Sequence, residues 1–322
     1  MNCVWPFKTR GSGQREKQDS PLFNSAACPD FFCVGAQKGG TTWLYQQLAS
    51  HADFWMPPLK ELHYFDQMSR SRHPARGERG NIHPRDQRDV QFLEAMNKLC
   101  EGPHIDLDSY AQIFAPKGAL LSGDITPGYS MVPDEIIQRI ITHFPNLKVL
   151  FLARDPVERA WSELCMGVRG GGIPPFDVSD FDEVTRNLLR PDVILRSYPS
   201  TIVARWRRHV HPDRFRVYFF DDLEKDPAEL RRSIIQFLGG DPGEPSQLRA
   251  SDKSNETKEK LKLTEKMRSH IARFFEPELK ACASELGGRA GEWPSRYGFS
   301  LVLFFSALLD NFDLFLWCDW VL

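Results

Sequence analysis

Phe31-Phe32-Cys33-Val34-Gly35-Ala36-Gln37-Lys38-Gly39-Gly40-Thr41-Thr42 runs from an apolar segment, through a glycine turn holding one lysine, into a pair of hydroxyl residues. This is the order of a buried strand, a phosphate cradle and the first turn of a helix. Glycines let the backbone bend until several N–H groups face one anion, and the helix N-terminus adds its partial positive charge. Lys38 is the informative residue. In the nucleoside-triphosphate loop G-x-x-x-x-G-K-S/T the lysine directly precedes the hydroxyl residue, whereas Gly39 and Gly40 separate Lys38 from Thr41. The loop therefore reads as a phosphate site for something other than the β/γ end of ATP.

Outward from this loop, apolar runs of strand length alternate with helix-period segments. That pattern predicts an α/β fold, a P-loop-like three-layer sandwich with a central, largely parallel sheet flanked by helices. The expected strands are Phe31–Gly35, Ala119–Gly123, Lys148–Ala153 and Phe215–Phe220. The expected helices are Thr41–Ser50, Pro133–His143, Pro156–Val168, Ser197–Val210 and Ala228–Leu238, with one long final helix over Thr264–Leu286. In such sheets ligands bind at the carboxyl ends of strands, where the loop after Phe31–Gly35 would stand. Two segments read as inserted loops: arginine-rich Arg70–Asp89, either a solvated surface or a segment that steers an anionic acceptor, and glycine-rich Gly167–Pro175.

The chain has 322 residues, 41% of them hydrophobic, enough for one large core or two small ones. A formal charge of −2 gives no global attraction to nucleic acid, so anion binding must be local. The seven cysteines form no C-x-x-C pair, which reads as a reducing compartment and neither a disulfide framework nor a zinc site. Residues 1–28 read as a disordered leader without an apolar signal core, and residues 29–298 as one domain. In the apolar tail 299–322, Asp310, Asn311, Asp313 and Asp319 interrupt any membrane-spanning run. That tail is expected either to pack on the domain or to meet a membrane surface or a partner.

A second anion site follows from Lys148-Val-Leu-Phe-Leu-Ala153, which ends in Arg154-Asp155-Pro156. Pro156 suits the first helical position and Asp155 the N-cap, so Arg154 sits at a strand-to-helix corner. Ser162 follows two turns later, with Arg159 one turn before it. Arginine and serine so placed would clamp an oxyanion; the plainer alternative pairs Arg154 with a neighbouring carboxylate.

Together, Gly35-Ala-Gln-Lys38-Gly-Gly40-Thr41-Thr42 and Arg154-Asp155-Pro156-Val-Glu-Arg159-Ala-Trp-Ser162 resemble the cofactor signature of sulfotransferases that use 3′-phosphoadenosine 5′-phosphosulfate (PAPS). Lys60-Glu61-Leu62-His63-Tyr64-Phe65-Asp66 is similar to the K-E-x-x-F-F segment of the heparan-sulfate-type and related bacterial branch, and its E-x-H-x-x-D spacing to glucosaminyl 3-O-sulfotransferases. Thr126-Pro127-Gly-Tyr129 is similar to the family's T-P-x-Y, and Phe219-Phe-Asp-Asp222-Leu-Glu-Lys-Asp226-Pro227 to its strand–E-D-L–D-P segment. The resemblance spans about residues 29 to 298. It departs at Ile125, where glycan-acting members often carry lysine, and in lacking a membrane anchor and a late-loop disulfide. Those departures point to the bacterial, cytoplasmic side of the family.

The resemblance implies in-line transfer of a sulfuryl group from PAPS to an acceptor hydroxyl, leaving 3′-phosphoadenosine 5′-phosphate. Lys38, the amides of Gly39 and Gly40, and the hydroxyls of Thr41 and Thr42 would hold the 5′-phosphosulfate. Arg154 and Ser162 would hold the 3′-phosphate, with Lys258 and Lys260 as late-loop candidates; no metal is implied. Glu61 is the expected base, supported by His63 and Asp66, with the reverse assignment of His63 as base and Glu61 as its orienter also open. Asp124 is a weaker candidate. In an extended segment Glu61 and His63 share a face that Asp66 joins only if the chain turns. A saccharide acceptor is slightly favoured over a lipid, polyketide or small alcohol. A P-loop kinase, or a non-catalytic nucleotide-binding scaffold presenting the tail, remains as the alternative.

Overall fold

The computed structural model describes residues 27–68, 82–244, 246–252 and 261–300. Most of the expected leader and of the apolar tail lies outside them. Four parallel strands, β1 (Phe31–Cys33), β2 (Gly123–Ile125), β3 (Lys148–Ala153) and β4 (Phe215–Phe219), form one sheet in the order β2-β1-β3-β4. Both faces are covered. That is why the strands read as continuous apolar runs and lack alternation.

Side chains leave the two faces by turns. Phe31, Cys33, Leu150 and Leu152 enter one core with α1 (Thr41–Ala49), α10 (Phe220–Lys225) and α11 (Pro227–Leu238). Phe32, Val149, Phe151 and Ala153 enter the other and larger core. There they meet α2 (Tyr64–Met68), α3 (Gln87–Leu99), α4 (Leu107–Gln112), α5 (Asp134–His143), α6 (Pro156–Arg169), α7 (Phe181–Leu188), α8 (Pro191–Ile194) and α9 (Pro199–Arg207). The same side carries α12 (Glu265–Phe274), α13 (Glu276–Leu286) and α14 (Trp293–Arg296). The result is a three-layer α/β sandwich of P-loop-like form.

Three expectations need correction. The strand placed at Ala119–Gly123 is β2 at Gly123–Ile125, with Leu121 making only an isolated bridge to Phe54. Gly123 is a strand residue because its Cα lies where any Cβ would be 2.3 Å from the Phe31 carbonyl oxygen. The long helix expected over Thr264–Leu286 is two helices meeting at Phe275, because Pro277 in the first turn of α13 lacks an N–H and crowds the turn before it. Gly167, given both to the end of the expected helix Pro156–Val168 and to the start of the glycine-rich loop, lies inside α6, where the absence of a side chain leaves room for Ile173.

Gly123→Ala is therefore expected to overpack the sheet and cost about 1–3 kcal/mol. Urea unfolding checks this: an unchanged midpoint would show that the Phe31 strand can move aside.

Candidate active site

The loop after β1 remains hydrogen-bonded to the sheet. Val34 N–H donates to Leu150 O, Ala36 N–H to Leu152 O (2.9 Å), and Leu152 N–H to Gly35 O (2.7 Å). The turn then closes through Gly39 N–H to Ala36 O (2.9 Å), and Gly40, left-handed at φ 96°, is the N-cap of α1. Thr41 is buried and Thr42 half-buried at the head of that helix. Lys38 also takes a left-handed backbone (φ 68°), and its ammonium lies 3.6 Å from the Met166 sulfur on α6. Burial lowers its pKa, opposed by the nearby Glu163 carboxylate. A thioether is a weak acceptor. An anion arriving here would be a much better partner for this amine.

Arg154 stands one residue past β3. Its Nη1 donates to the Lys38 carbonyl oxygen (2.8 Å) and its guanidinium carbon lies 4.2 Å from the centre of the Phe220 ring. Its Nε is buried and makes no hydrogen bond among the described residues. Burial lowers its pKa, with Glu224 and Asp155 acting against that. The carboxylate partner that offered the plainer reading has another place. Asp155 caps α6 through Val157 N–H (2.9 Å) and accepts from the Tyr297 hydroxyl (2.8 Å).

Arg154 and Phe220 open onto a cavity of about 300 Å³. Two further arginines line it, Arg268 on α12, paired with Glu158, and Arg296 on α14, paired with Asp221. Neither belongs to a motif, and α12 and α14 follow a segment the sequence does not organise, so nothing in the sequence pointed to them. Arg196, which grips Gln37 of the loop, was missed for the same reason.

Other expected residues divide. Ser162 sits half-buried on α6, one turn beyond Arg159. Arg159 is fully buried and serves structure, donating to Ser197 Oγ (2.7 Å) and Val193 O (2.7 Å). Lys258 and Lys260 lie outside the described residues. Of the arginine-rich loop, Arg85 is held by Asp89 (2.7 and 2.8 Å) and by the Met56 carbonyl, and Arg88 by Asp86. Arg70, Arg72, Arg76 and Arg79 are outside the described residues. Ile125 is fully buried in the core beside β1.

The Glu61 segment comes together through a turn. His63 adopts φ 52°, the chain enters α2, and Asp66 arrives on the same side as Glu61. His63 Nδ1 is 2.9 Å from Asp66 Oδ2 and its Nε2 is 3.2 Å from Glu61 Oε2, while Lys60 also contacts Glu61. Burial tends to push the Glu61 carboxyl up, but the His63 hydrogen bond and the Lys60 charge hold it down at about 2. Burial likewise disfavours the His63 cation, but hydrogen bonds to Asp66 and Glu61 raise it to about 10. Both ring nitrogens of His63 are thus engaged, and Glu61 is ionised throughout the neutral range. The segment is anchored to the sheet: Leu62 N–H donates to Thr126 Oγ1 (2.9 Å), and Thr126 N–H donates to Cys33 O (3.1 Å).

Three segments therefore lie at the carboxyl edge of β1, β2 and β3: a lysine-bearing loop, a half-buried arginine and a carboxylate–imidazolium–carboxylate row. Residues 29–241 match a family model described as the sulfotransferase family. The chain belongs to the sulfotransferase family. Among solved structures, this sulfotransferase is similar to one from Alicyclobacillus acidocaldarius, with 24% identity over 82% of this chain and 98% of that one and a TM-score of 0.59. That likeness bears on the fold, and it agrees with the parallel sheet described above. The sulfotransferase domain of the Synechococcus PCC 7002 olefin synthase is 19% identical over 77% of this chain and 94% of its own, with a TM-score of 0.45. A comparison with curated proteins finds no match. Among the described residues no helix is long and apolar enough to cross a membrane.

The His63 cation has a consequence for stability. A histidine whose folded pKa is raised stabilises fully below its ordinary pKa, and that contribution disappears as pH rises through about 10. The melting temperature should therefore fall more steeply from neutral to alkaline pH in the unaltered sulfotransferase than in His63→Asn. Parallel melting curves of the two proteins would refute the ion-paired arrangement.

Proposed function

We propose that this sulfotransferase moves a sulfuryl group from PAPS to an acceptor hydroxyl, with Glu61 as the base. The observation that supports the proposal is that the Lys38 loop, Arg154 and the Glu61 segment are all tied to the carboxyl end of the sheet, Arg154 through the Lys38 carbonyl and Glu61's neighbour Leu62 through Thr126. The residues present fit the cofactor: among the described residues, Arg154 Nε is buried without a hydrogen bond, and the Lys38 ammonium contacts a thioether. When bound, the cofactor supplies an activated sulfuryl group and a phosphate as leaving group.

Sulfuryl transfer, like phosphoryl transfer, asks for positioning and for stabilisation of charge on the leaving oxygen. Lys38, with the N–H groups of Gly39, Gly40, Thr41 and Thr42, would hold that phosphate and take up the charge developing on it. Arg154 and Ser162 would hold the second phosphate, with Lys258 in reserve, and Arg268 and Arg296 stand near enough to join them. As the acceptor oxygen bonds to sulfur, its proton would pass to Glu61, and the electrons of the breaking S–O bond would remain on the leaving phosphate.

The geometry favours Glu61 over His63 as base. His63 is protonated at neutral pH and donates from both nitrogens, so it has no lone pair to offer. It serves as the cation that holds Glu61 in place, with Asp66 holding it in turn. A saccharide acceptor is supported by the Glu61–His63–Asp66 row alone, since Arg85 and Arg88 are taken by their own carboxylates. A cytoplasmic setting is part of the same reading, resting on the cysteine pattern.

Calorimetric titration with 3′-phosphoadenosine 5′-phosphate, with ATP and AMP in parallel, tests the cofactor. Lys38→Ala and Arg154→Ala should each weaken binding of the bisphosphate by about tenfold or more, as loss of a charged hydrogen bond does. Glu61→Gln should bind it normally and lose about 10²–10⁴ in turnover. Equal losses of affinity in all three variants would overturn the base assignment, and binding of ATP alone would overturn the cofactor.

A further inference from the structure

Asp124 lies directly behind the Glu61 segment, on β2, with 1% of its surface exposed. Its neighbour Ile125 points into the core on one face of the sheet, and Asp124 points into the other. A bare carboxylate there would be costly, yet three hydroxyls from three parts of the chain donate to it. Tyr110 from α4 reaches Oδ2 (2.8 Å), and so does Tyr129 from the turn after β2 (2.6 Å). Thr126 reaches Oδ1 (2.6 Å). Burial raises the Asp124 carboxyl to about 6 against the pull of these hydrogen bonds, and it drives both tyrosines well above their ordinary range.

The Thr126 contact has a directional effect. A hydroxyl has one proton, and Asp124 takes it. The lone pairs of Thr126 Oγ1 are then left facing the Glu61–Leu62 peptide, whose N–H donates to it at 2.9 Å. Thr126 is completely buried, so no water competes for either bond. The peptide held in this way joins Glu61 to Leu62, the one residue that separates Glu61 from His63. Two residues further on, the same turn touches the other end of the row. A Cβ on Gly128 would lie 2.5 Å from Asp66 Oδ2 and 3.1 Å from His63 Nδ1, so only glycine lets that ion pair settle against the turn.

We propose that Asp124 is a positioning residue of this sulfotransferase: acting through Thr126, it sets where Glu61 and His63 stand, and it takes no proton from the acceptor. The assignment rests on the reading of Glu61 as base. It replaces the expectation that Asp124 is itself a candidate base, since the carboxylate is sealed from solvent and its oxygens already accept three hydrogen bonds. The turn from Asp124 to Tyr129 thereby acquires a role in catalysis although none of its side chains reaches the reacting atoms.

Thr126→Val is the informative variant, because it keeps the volume and removes the hydroxyl, and Thr126→Ser restores the hydroxyl. Two readouts are needed. The first is the titration of His63 followed by NMR, which requires neither cofactor nor acceptor. Thr126→Val should lower its midpoint by about one unit or more as the His63–Glu61 distance relaxes, and Thr126→Ser should leave it in place. The second is steady-state kinetics well below the melting temperature. There Thr126→Val should lower kcat by about 10- to 100-fold with bisphosphate affinity unchanged, while Thr126→Ser stays within about threefold of the unaltered protein.

An unmoved His63 midpoint in Thr126→Val would overturn the positioning role whatever the reaction proves to be. So would an unchanged kcat accompanied by a lower melting temperature, the mark of a merely structural threonine. Failure of the unaltered protein to bind the bisphosphate would instead remove the cofactor reading, and the His63 titration would still decide the fate of Asp124.

Discussion

The pairing of β1 with β3 extends beyond the end of β1, and the rest of the site depends on that continuation. Through Ala36 N–H to Leu152 O and Leu152 N–H to Gly35 O, the first residues of the phosphate loop are still part of the sheet. A loop anchored in this way cannot drift relative to β3. It follows that Arg154, one residue past the end of that strand, meets the Lys38 carbonyl at 2.8 Å. Two cations far apart in sequence are held on one framework of backbone hydrogen bonds, within two packed cores that leave the strands little freedom to shift.

The second consequence lies on the other side of β1. Thr126 N–H bonds to Cys33 O, so the turn after β2 is tied to the same strand end. The Glu61 segment hangs from that turn by Leu62. Glu61, Lys38 and the half-buried Arg154 therefore share one reference in the sheet, which is the kind of fixed positioning that the proposed in-line transfer would need. The charges are arranged with equal economy of motion. Glu61 is kept ionised by His63 and Lys60, whereas burial lowers the pKa of Lys38 and Arg154, and among the described residues neither forms a hydrogen bond to a carboxylate.

Local sequence rules read well where chemistry was local. The glycine-lysine loop, Asp155 as N-cap, Pro156 at the first helical position and the full extent of β3 follow from turn chemistry, capping and apolar runs. They read less well where tertiary contact decides. The apolar Ala119-Leu120-Leu121 run looked like strand, but the sheet begins only at Gly123, because pairing requires close approach to the Phe31 backbone. Helical periodicity passed across Phe275 unbroken, and Pro277 alone marked the division. Of the arginine-rich loop, read either as steering an anionic acceptor or as a solvated surface, Arg85 and Arg88 meet their own carboxylates, contacts that charge counting does not register.

By itself the sequence determined the α/β class, the phosphate loop, the arginine corner and the sulfotransferase resemblance, because each depends on residues within a few positions of one another. The tertiary structure decided which of those residues meet. Asp66 joins Glu61 only because the backbone turns at His63. Arg268 and Arg296 reach the Arg154 cavity only because α12 and α14 pack across the chain, and Asp124 finds two tyrosines and a threonine only when β2 closes against β1. Such contacts join segments whose spacing in sequence carries no periodic signal, so they are set by the close packing of a shared core and by the need to satisfy each polar group buried within it.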